Sequence, residues 1–385
     1  MKTQRLYVTE LVGLDLLRFI LAVAIVIRHY YFFYYGHVEL DQIVESQPFF
    51  SVIGILYKWG GEAVQAFWLI SGLIFYSIYH DEIIKKEVSF KEFVFFRFSR
   101  LYPLHFLTLL VVAVLQVWYS VVHGEFFVAQ AQDIKHFVHQ ILFINAWFPS
   151  FEHSFNIPVW SVSVEILVYI IFFFLAAAGV LRNRGIFVVA SLMVLFYMVD
   201  AFAPFSRCAS FFFFGCMLAK VLGETQKPWT LLVKFIAAFA LMGILFRVVK
   251  YLNPTLSDEG YGLLVNLTLL PFASVIVLGF ILAFRRLQAV RFVRLFKNLG
   301  NLTYSLYLVH MPIILTIVLV LDPEGTSIYD NPLMLIAFIG ISIVTGWLVF
   351  TYFEKPVQKY LRRKFDAQQL EKAHTKYGEN ADVAA

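Results

Sequence analysis

The chain has 385 residues, of which 60% are apolar, 18% aromatic and 15% charged, whereas soluble domains carry about 45–50% apolar and about 25% charged residues. That balance excludes a soluble globular fold, and no polar block is long enough to form a separate soluble domain. The net charge of +5 comes in short basic clusters between apolar runs, not along one face, which excludes a nucleic-acid surface.

In chain order, ten apolar runs reach the length of a transmembrane helix: roughly 12–35, 62–80, 101–122, 158–180, 186–203, 206–222, 229–250, 261–284, 301–321 and 333–353. The fold class expected is all-α, a polytopic integral membrane protein of about ten transmembrane helices with both termini on one side. Lys2 and Arg5 precede the first run as in a signal peptide, but Asp15, Arg18 and Arg28 inside it, and no small-residue cleavage site, predict a retained span. With the termini in the cytoplasm, 23 Lys and Arg fall in inner segments and 4 in outer ones, the asymmetry of the positive-inside rule. Glu39, Asp41 and Glu45, and later Asp322, Glu324 and Asp330, then lie outside. Two outer segments, 49–60 and 133–148, are aromatic and too short to span, so they are expected as interfacial or re-entrant helices that could roof a cavity. Residues 1–356 form one membrane domain and 357–385 a polar cytoplasmic tail. The reading leaves a homo-oligomer open and predicts no nucleic-acid partner. Cys208 and Cys216 are about 12 Å apart along a helix, too far for a disulfide, and two thiols make no metal framework.

An ionisable side chain within a span costs a few kcal/mol, so each needs a partner, a wet cavity or a function. Arg18 and His29 are eleven residues apart, about 20° past three full turns, so both face one way at about 16 Å along the axis. Asp15, one turn earlier, is placed to pair with Arg18. Glu62 opens the second run, and Ser71 with Gly72 marks a close helix contact or a ligand touching backbone. In RFSRLYP (97–103), Arg97 and Arg100 share a helical face and suit bidentate phosphate binding, although arginines also belong at an inner boundary. PVWSVSVE (158–165) brings Trp160, Ser161 and Glu165 together at a span mouth. Glu165 falls on the side of His29 and Glu62, and a buried carboxylate beside an imidazole can orient it as a general base. Tyr304, Ser305, Tyr307 and His310 follow in the inner half of the ninth run, where a lone histidine is often a satisfied core group, and Glu354 closes the tenth.

In this order the residues resemble the acyltransferase-3 family of membrane-bound O-acyltransferases, which includes O-antigen and nodulation-factor acetylases. The resemblance rests on LDLLRFI with Arg18-x10-His29, FWLISGL (67–73), Arg97-x-x-Arg100-LYP, VWSVSVE (159–165), GNLTYSLYLVH (300–310) and Glu354-Lys-Pro356. Leu16 and Phe19 stand where the family commonly has glycines. Some members carry a soluble hydrolase-like domain after the membrane part; without it, any final transfer step falls to a separate protein.

The resemblance implies transfer of an acyl group, by default acetyl, from cytoplasmic acyl-coenzyme A to a hydroxyl of a glycan or glycolipid, in the cytoplasmic (inner) membrane of a bacterium and with no metal. On that basis His29 is expected as the base, with Glu165 orienting it, Arg18 essential, and Ser161 or Tyr304 donating to the oxyanion. The donor falls to Arg97, Arg100, Arg18, Ser71, Tyr304 and His310, and the acceptor to Trp160 and Glu62, with membrane lipid around them. The alternative from another class is a proton-coupled secondary transporter with His29, Glu62 and Glu165 as a relay; a structural scaffold is the third.

Overall fold

A computed structural model describes residues 12–36, 45–148, 150, 152–198, 202–253, 258–285, 299–321 and 327–382. Lys2, Arg5, Glu39, Asp41, Asp322, Glu324 and the basic segment 286–297 lie outside the described residues. Every regular element described is helical: α1 (Val12–Arg28), α2 (Phe50–Trp59), α3 (Ala63–Ile84), α4 (Phe90–His123), α5 (Ile134–Ile141), α6 (Val159–Ala177), α7 (Gly185–Met198), α8 (Ala203–Glu224), α9 (Pro228–Leu252), α10 (Asp258–Arg285), α11 (Leu299–Leu321), α12 (Pro332–Val349) and α13 (Lys355–Asp382). Eight described helices are long and apolar enough to cross a membrane. The ten expected runs each correspond to a helix, but α1 with 17 residues and α7 with 14 fall short of that length. At 1.5 Å per residue α7 rises only about 21 Å, against a hydrocarbon core of about 30 Å. A six-residue 3-10 helix, His29–Tyr34, prolongs α1.

The bundle has a centre and a rim. α1, α3, α4, α6 and α11 surround an internal cavity, while α9 has no buried residue and α7, α10 and α12 pack outside the centre. Glycine sets the closest crossing. A Cβ on Gly72 of α3 would overlap the Phe212 carbonyl of α8, and one on Gly215 of α8 would overlap the Leu69 carbonyl of α3. The same trait at Gly300 lets the start of α11 approach Asp15 of α1. Both cysteines are buried free thiols on α8.

The segment expected as an interfacial or dipping helix at 133–148 proves deeply re-entrant. The chain from Phe127 into this segment descends along α4 from Gln116, whose amide grips the backbone N–H and carbonyl of Phe127 at 2.9 and 3.0 Å, to His105, whose Nε2 lies 2.8 Å from the Gln140 carbonyl. Those anchors are eleven residues apart on α4, a descent of about 16 Å. Non-helical backbone at such depth needs internal partners. Gln140 donates to the Ser154 carbonyl, Ser163 to the Phe143 carbonyl, and Asn156 to Thr108 Oγ1 and the Leu308 carbonyl. As a result α6 begins inside the bundle, beside the middle of α11. The segment 49–60 is mostly the short helix α2, which packs on α1 and exposes Val52, Ile55 and Trp59.

Candidate active site

The central cavity has a volume of about 160 Å³, room for about five water molecules. Five helices supply its polar wall: Arg18 from α1, Ser71 from α3, Arg97 and Arg100 from α4, Ser161, Glu165 and Tyr169 from α6, and Thr303, Tyr304 and Tyr307 from α11. Seven of the expected site residues therefore share one space although they are scattered over almost 290 residues of chain.

Arg18 emerges one turn after Asp15, pairs with it at 3.9 Å, and sends Nη2 to within 3.4 Å of Thr303 Oγ1. Arg97 donates to the Tyr79 hydroxyl, and its guanidinium lies 4.8 Å over Phe75 and 5.1 Å over Tyr79. Its Nε is buried without a hydrogen bond. Both arginines sit on one continuous helix: a capping box at Ser89 and Glu92 starts α4, and Pro103 lies within it. Ser71 and Tyr169, hydrogen bonded to each other at 3.1 Å, are the polar neighbours of Glu165, and Arg18 and Arg97 its cationic ones. Glu354, read from sequence as an ordinary helix end, is 5% exposed. A π-helical turn, Phe350–Glu354, carries it inward, where it accepts from Ser305 with Arg100 and Arg18 nearby.

Beyond the cavity lies the second half of the site. His29 begins the 3-10 turn, and its Nδ1 is 2.9 Å from Nε2 of His310 on α11. The two rings lie edge to edge in nearly one plane, with centroids 5.0 Å apart and planes 8° apart, as a hydrogen bond between ring nitrogens requires, and Phe32 lies parallel to His29 at 5.2 Å. The expected pairing of His29 with Glu165 does not form; the imidazole partner is His310, and Glu165 faces the arginines. The physical reason is depth: the re-entrant segment starts α6 so far inside the bundle that Glu165 falls at the level of Arg18. His310 is fully buried, and its Nδ1 makes no hydrogen bond, with the carbonyls of Leu306 and Tyr307 as its polar neighbours. Its ring centroid is 5.9 Å from that of Tyr307, which links the histidines to the cavity wall.

Other expected residues have definite places. Tyr307 donates to the Pro158 carbonyl at 2.7 Å and accepts from Ser161 at 2.8 Å, the shorter of the two contacts open to the Ser161 proton, the other being the same carbonyl at 3.2 Å. Tyr304 donates to the Leu101 carbonyl at 2.6 Å, so its proton ties α11 to α4 instead of facing an oxyanion. Trp160 meets Trp68 edge to face at 5.8 Å, and Glu62 accepts from Gln65, neither on the cavity wall. His29, Glu62 and Glu165 thus sit in three separate sets of direct contacts. Sequence reasoning missed Thr303, Tyr169 and the inward turn of Glu354. The small residues of the ninth run, the acidic end of the tenth and the four-residue spacing of Tyr169 from Glu165 were the signals for them.

With this geometry in view, the family model described as an acyltransferase domain matches residues 11–351. The chain belongs to the acyltransferase-3 family. This acyltransferase-3 member is a multi-pass membrane acyltransferase, and the matched segment contains every residue of the cavity wall and both histidines. The match ends inside the π-helical turn, before Glu354 and α13. No curated protein and no solved structure matches the chain.

Proposed function

We propose that this acyltransferase-3 protein moves an acyl group, by default acetyl, from acyl-coenzyme A at the α13 end of the bundle to a hydroxyl of a cell-envelope glycan or glycolipid at the His29 end, in a bacterial cytoplasmic membrane. One observation carries the reading. Arg18 on α1 and His29 at the start of the 3-10 turn that prolongs it both reach α11, at Thr303 and His310, and the cavity-lining Tyr304 and Tyr307 lie between those two contacts in the chain.

At the α13 end, Arg97 and Arg100 supply fixed positive charge for the donor's phosphates, since guanidinium forks match phosphate oxygens and stay ionised. The unpartnered Nε of Arg97 fits that role, because a buried donor left without an acceptor is costly until a ligand supplies one. A space of about 160 Å³ suits the thioester end of the donor, with the nucleotide outside.

At the other end, one N–H must lie between the two imidazoles. A proton on His310 Nδ1, toward the Leu306 and Tyr307 carbonyls, leaves Nε2 as acceptor; His29 then donates from Nδ1 and keeps the lone pair on its Nε2. That lone pair takes the proton of the acceptor hydroxyl as its oxygen attacks the thioester carbonyl. The C–S bond breaks, the sulfur leaves as coenzyme A and takes up the proton, and an ester remains. His310 orients the base in place of a carboxylate. Ser161, whose proton can turn away from Tyr307, is the hydroxyl placed to donate to the oxyanion, a contribution of about 3 kcal/mol where well aimed. The test supplies membranes with labelled acetyl-coenzyme A and an envelope glycan extract. Acceptor-dependent release of coenzyme A with label in ester linkage is expected, and its loss on His29→Ala at normal protein levels; full activity of that variant overturns the base assignment.

A further inference from the structure

The C-terminal segment reads in sequence as a polar tail, and it lies beyond the matched family segment. In the structure its first turns are docked. Phe365 of α13 is buried and stacks on Phe95 of α4, with centroids 4.1 Å apart and planes 12° apart. Arg362, one turn earlier and so on the same face, lies 5.5 Å over Phe96 and sends Nε to within 3.4 Å of Ser99 Oγ. Ser99 stands between Arg97 and Arg100 in the same turn of α4. The dock therefore lays a third guanidinium beside the pair at the mouth of the cavity, and Arg97 and Arg100 are its cationic neighbours.

Three guanidiniums in one place repel. Among the described residues none of the three closes a salt bridge with a carboxylate. The bonded partners of Arg97 and Arg362 are the hydroxyls of Tyr79 and Ser99, which cancel no charge. Glu165, Glu354 and Asp366 act on the cluster from beyond ion-pair distance and leave the three guanidiniums without a direct carboxylate partner. A multiply charged anion would relieve the repulsion, and a phosphoryl group, with oxygens on several faces, can accept from several guanidinium forks at once.

We propose that Arg362 completes, with Arg97 and Arg100, a site for a phosphoryl group at the mouth of the cavity, so that α13 is part of the binding machinery and not a tail. The proposal rests on the donor reading above where that phosphoryl group belongs to coenzyme A; an anionic lipid headgroup offers the same chemistry, and the experiment separates the two. Full-length protein in phosphatidylcholine nanodiscs is titrated with coenzyme A, and a parallel sample in phosphatidylglycerol-containing discs is assayed for lipid retained after detergent extraction. Arg363, exposed on the same helix, serves as the equal-charge control.

Arg362→Ala is expected to weaken coenzyme A binding about tenfold, or about 1.4 kcal/mol, with Arg363→Ala unchanged and Arg362→Lys intermediate. If Arg362→Ala instead leaves coenzyme A affinity intact but loses the retained phosphatidylglycerol, the site stands with lipid as its ligand. If the wild type retains lipid through Arg362 and binds no coenzyme A, the donor reading fails and this site does not. Arg362→Ala and Arg363→Ala behaving alike in both assays, with Arg362→Lys as folded as the wild type, overturns the proposal.

Discussion

The two ends of the site are built on opposite electrostatic plans. At the α13 end, Arg18, Arg97 and Arg100 share a small cavity with Glu165, and buried Glu354 stands beside Arg100 and Arg18, so fixed charges of both signs stand among hydroxyls. At the other end, two imidazoles bond to each other in a wall of aromatic rings, Phe32 beside one and Tyr307 near the other, with Arg28 over Tyr31 as a neighbouring charge and no carboxylate of the described residues among their contacts. Guanidinium never gives up its proton in a protein, whereas imidazole exchanges one near neutral pH. The first plan suits holding an anion in place, and the second suits moving a proton. On the proposed function, binding falls to the first end and proton transfer to the second, without requiring any residue to do both.

The comparison breaks most sharply at the histidines. His29→Ala and His310→Ala are each expected to lower kcat by about 10²–10⁴-fold, the usual range for loss of general-base function, with little change in donor affinity, as read by turnover and by coenzyme A titration. If His310→Ala alone keeps kcat, the orienting role is wrong while the base assignment survives. The arginines should fail in the opposite way. Arg97→Ala with Arg100→Ala is expected to weaken donor binding by roughly 10–100-fold, about 1.4–2.7 kcal/mol, with kcat of the saturated enzyme changed less. A double variant that loses kcat and keeps its donor affinity would merge the two ends into one.

These two expectations also mark what the sequence made legible. Hydropathy alone places the helices, because an apolar run of about 20 residues has few alternatives, and the periodicity of α1 puts Arg18 and His29 on one face. The spacing of Arg97 and Arg100 similarly fixes a shared face. What could not be read was depth. The re-entrant segment is held by Gln116, Gln140 and Asn156, whose partners are contacts of the folded chain and leave no local pattern. That depth moved Glu165 away from His29. His310 was expected among the donor residues, and its pairing with His29 could not be read because the two are 281 residues apart. Glu354 and Arg362 looked like surface charge because only a π-helical turn and an aromatic dock turn them inward.

Smaller effects sharpen the same contrast. Glu165→Gln keeps hydrogen-bonding atoms toward Ser71 and Tyr169 but removes the charge between Arg18 and Arg97. About a tenfold loss of turnover is expected with the protein still folded, as checked by thermal melting beside the activity assay. Asn156→Ala strips a donor from Thr108 and the Leu308 carbonyl at the base of the re-entrant segment. Leaving those groups unpaired costs about 1–3 kcal/mol, which should appear as a lower melting temperature and a parallel fall in activity at both ends. Gly72→Ala presses a methyl group into the Phe212 backbone, with a stability loss of about 1–3 kcal/mol from overpacking, also read by melting, and no selective effect on donor binding.

The most direct test asks whether the two ends act across a barrier. The purified protein is reconstituted in sealed proteoliposomes of known orientation, with labelled acetyl-coenzyme A supplied on the α13 side and envelope glycan extract trapped on the other. Labelled ester on the trapped glycan, abolished by His29→Ala and by the double arginine variant, is the predicted result. Label appearing only when donor and glycan share one side would contradict the account.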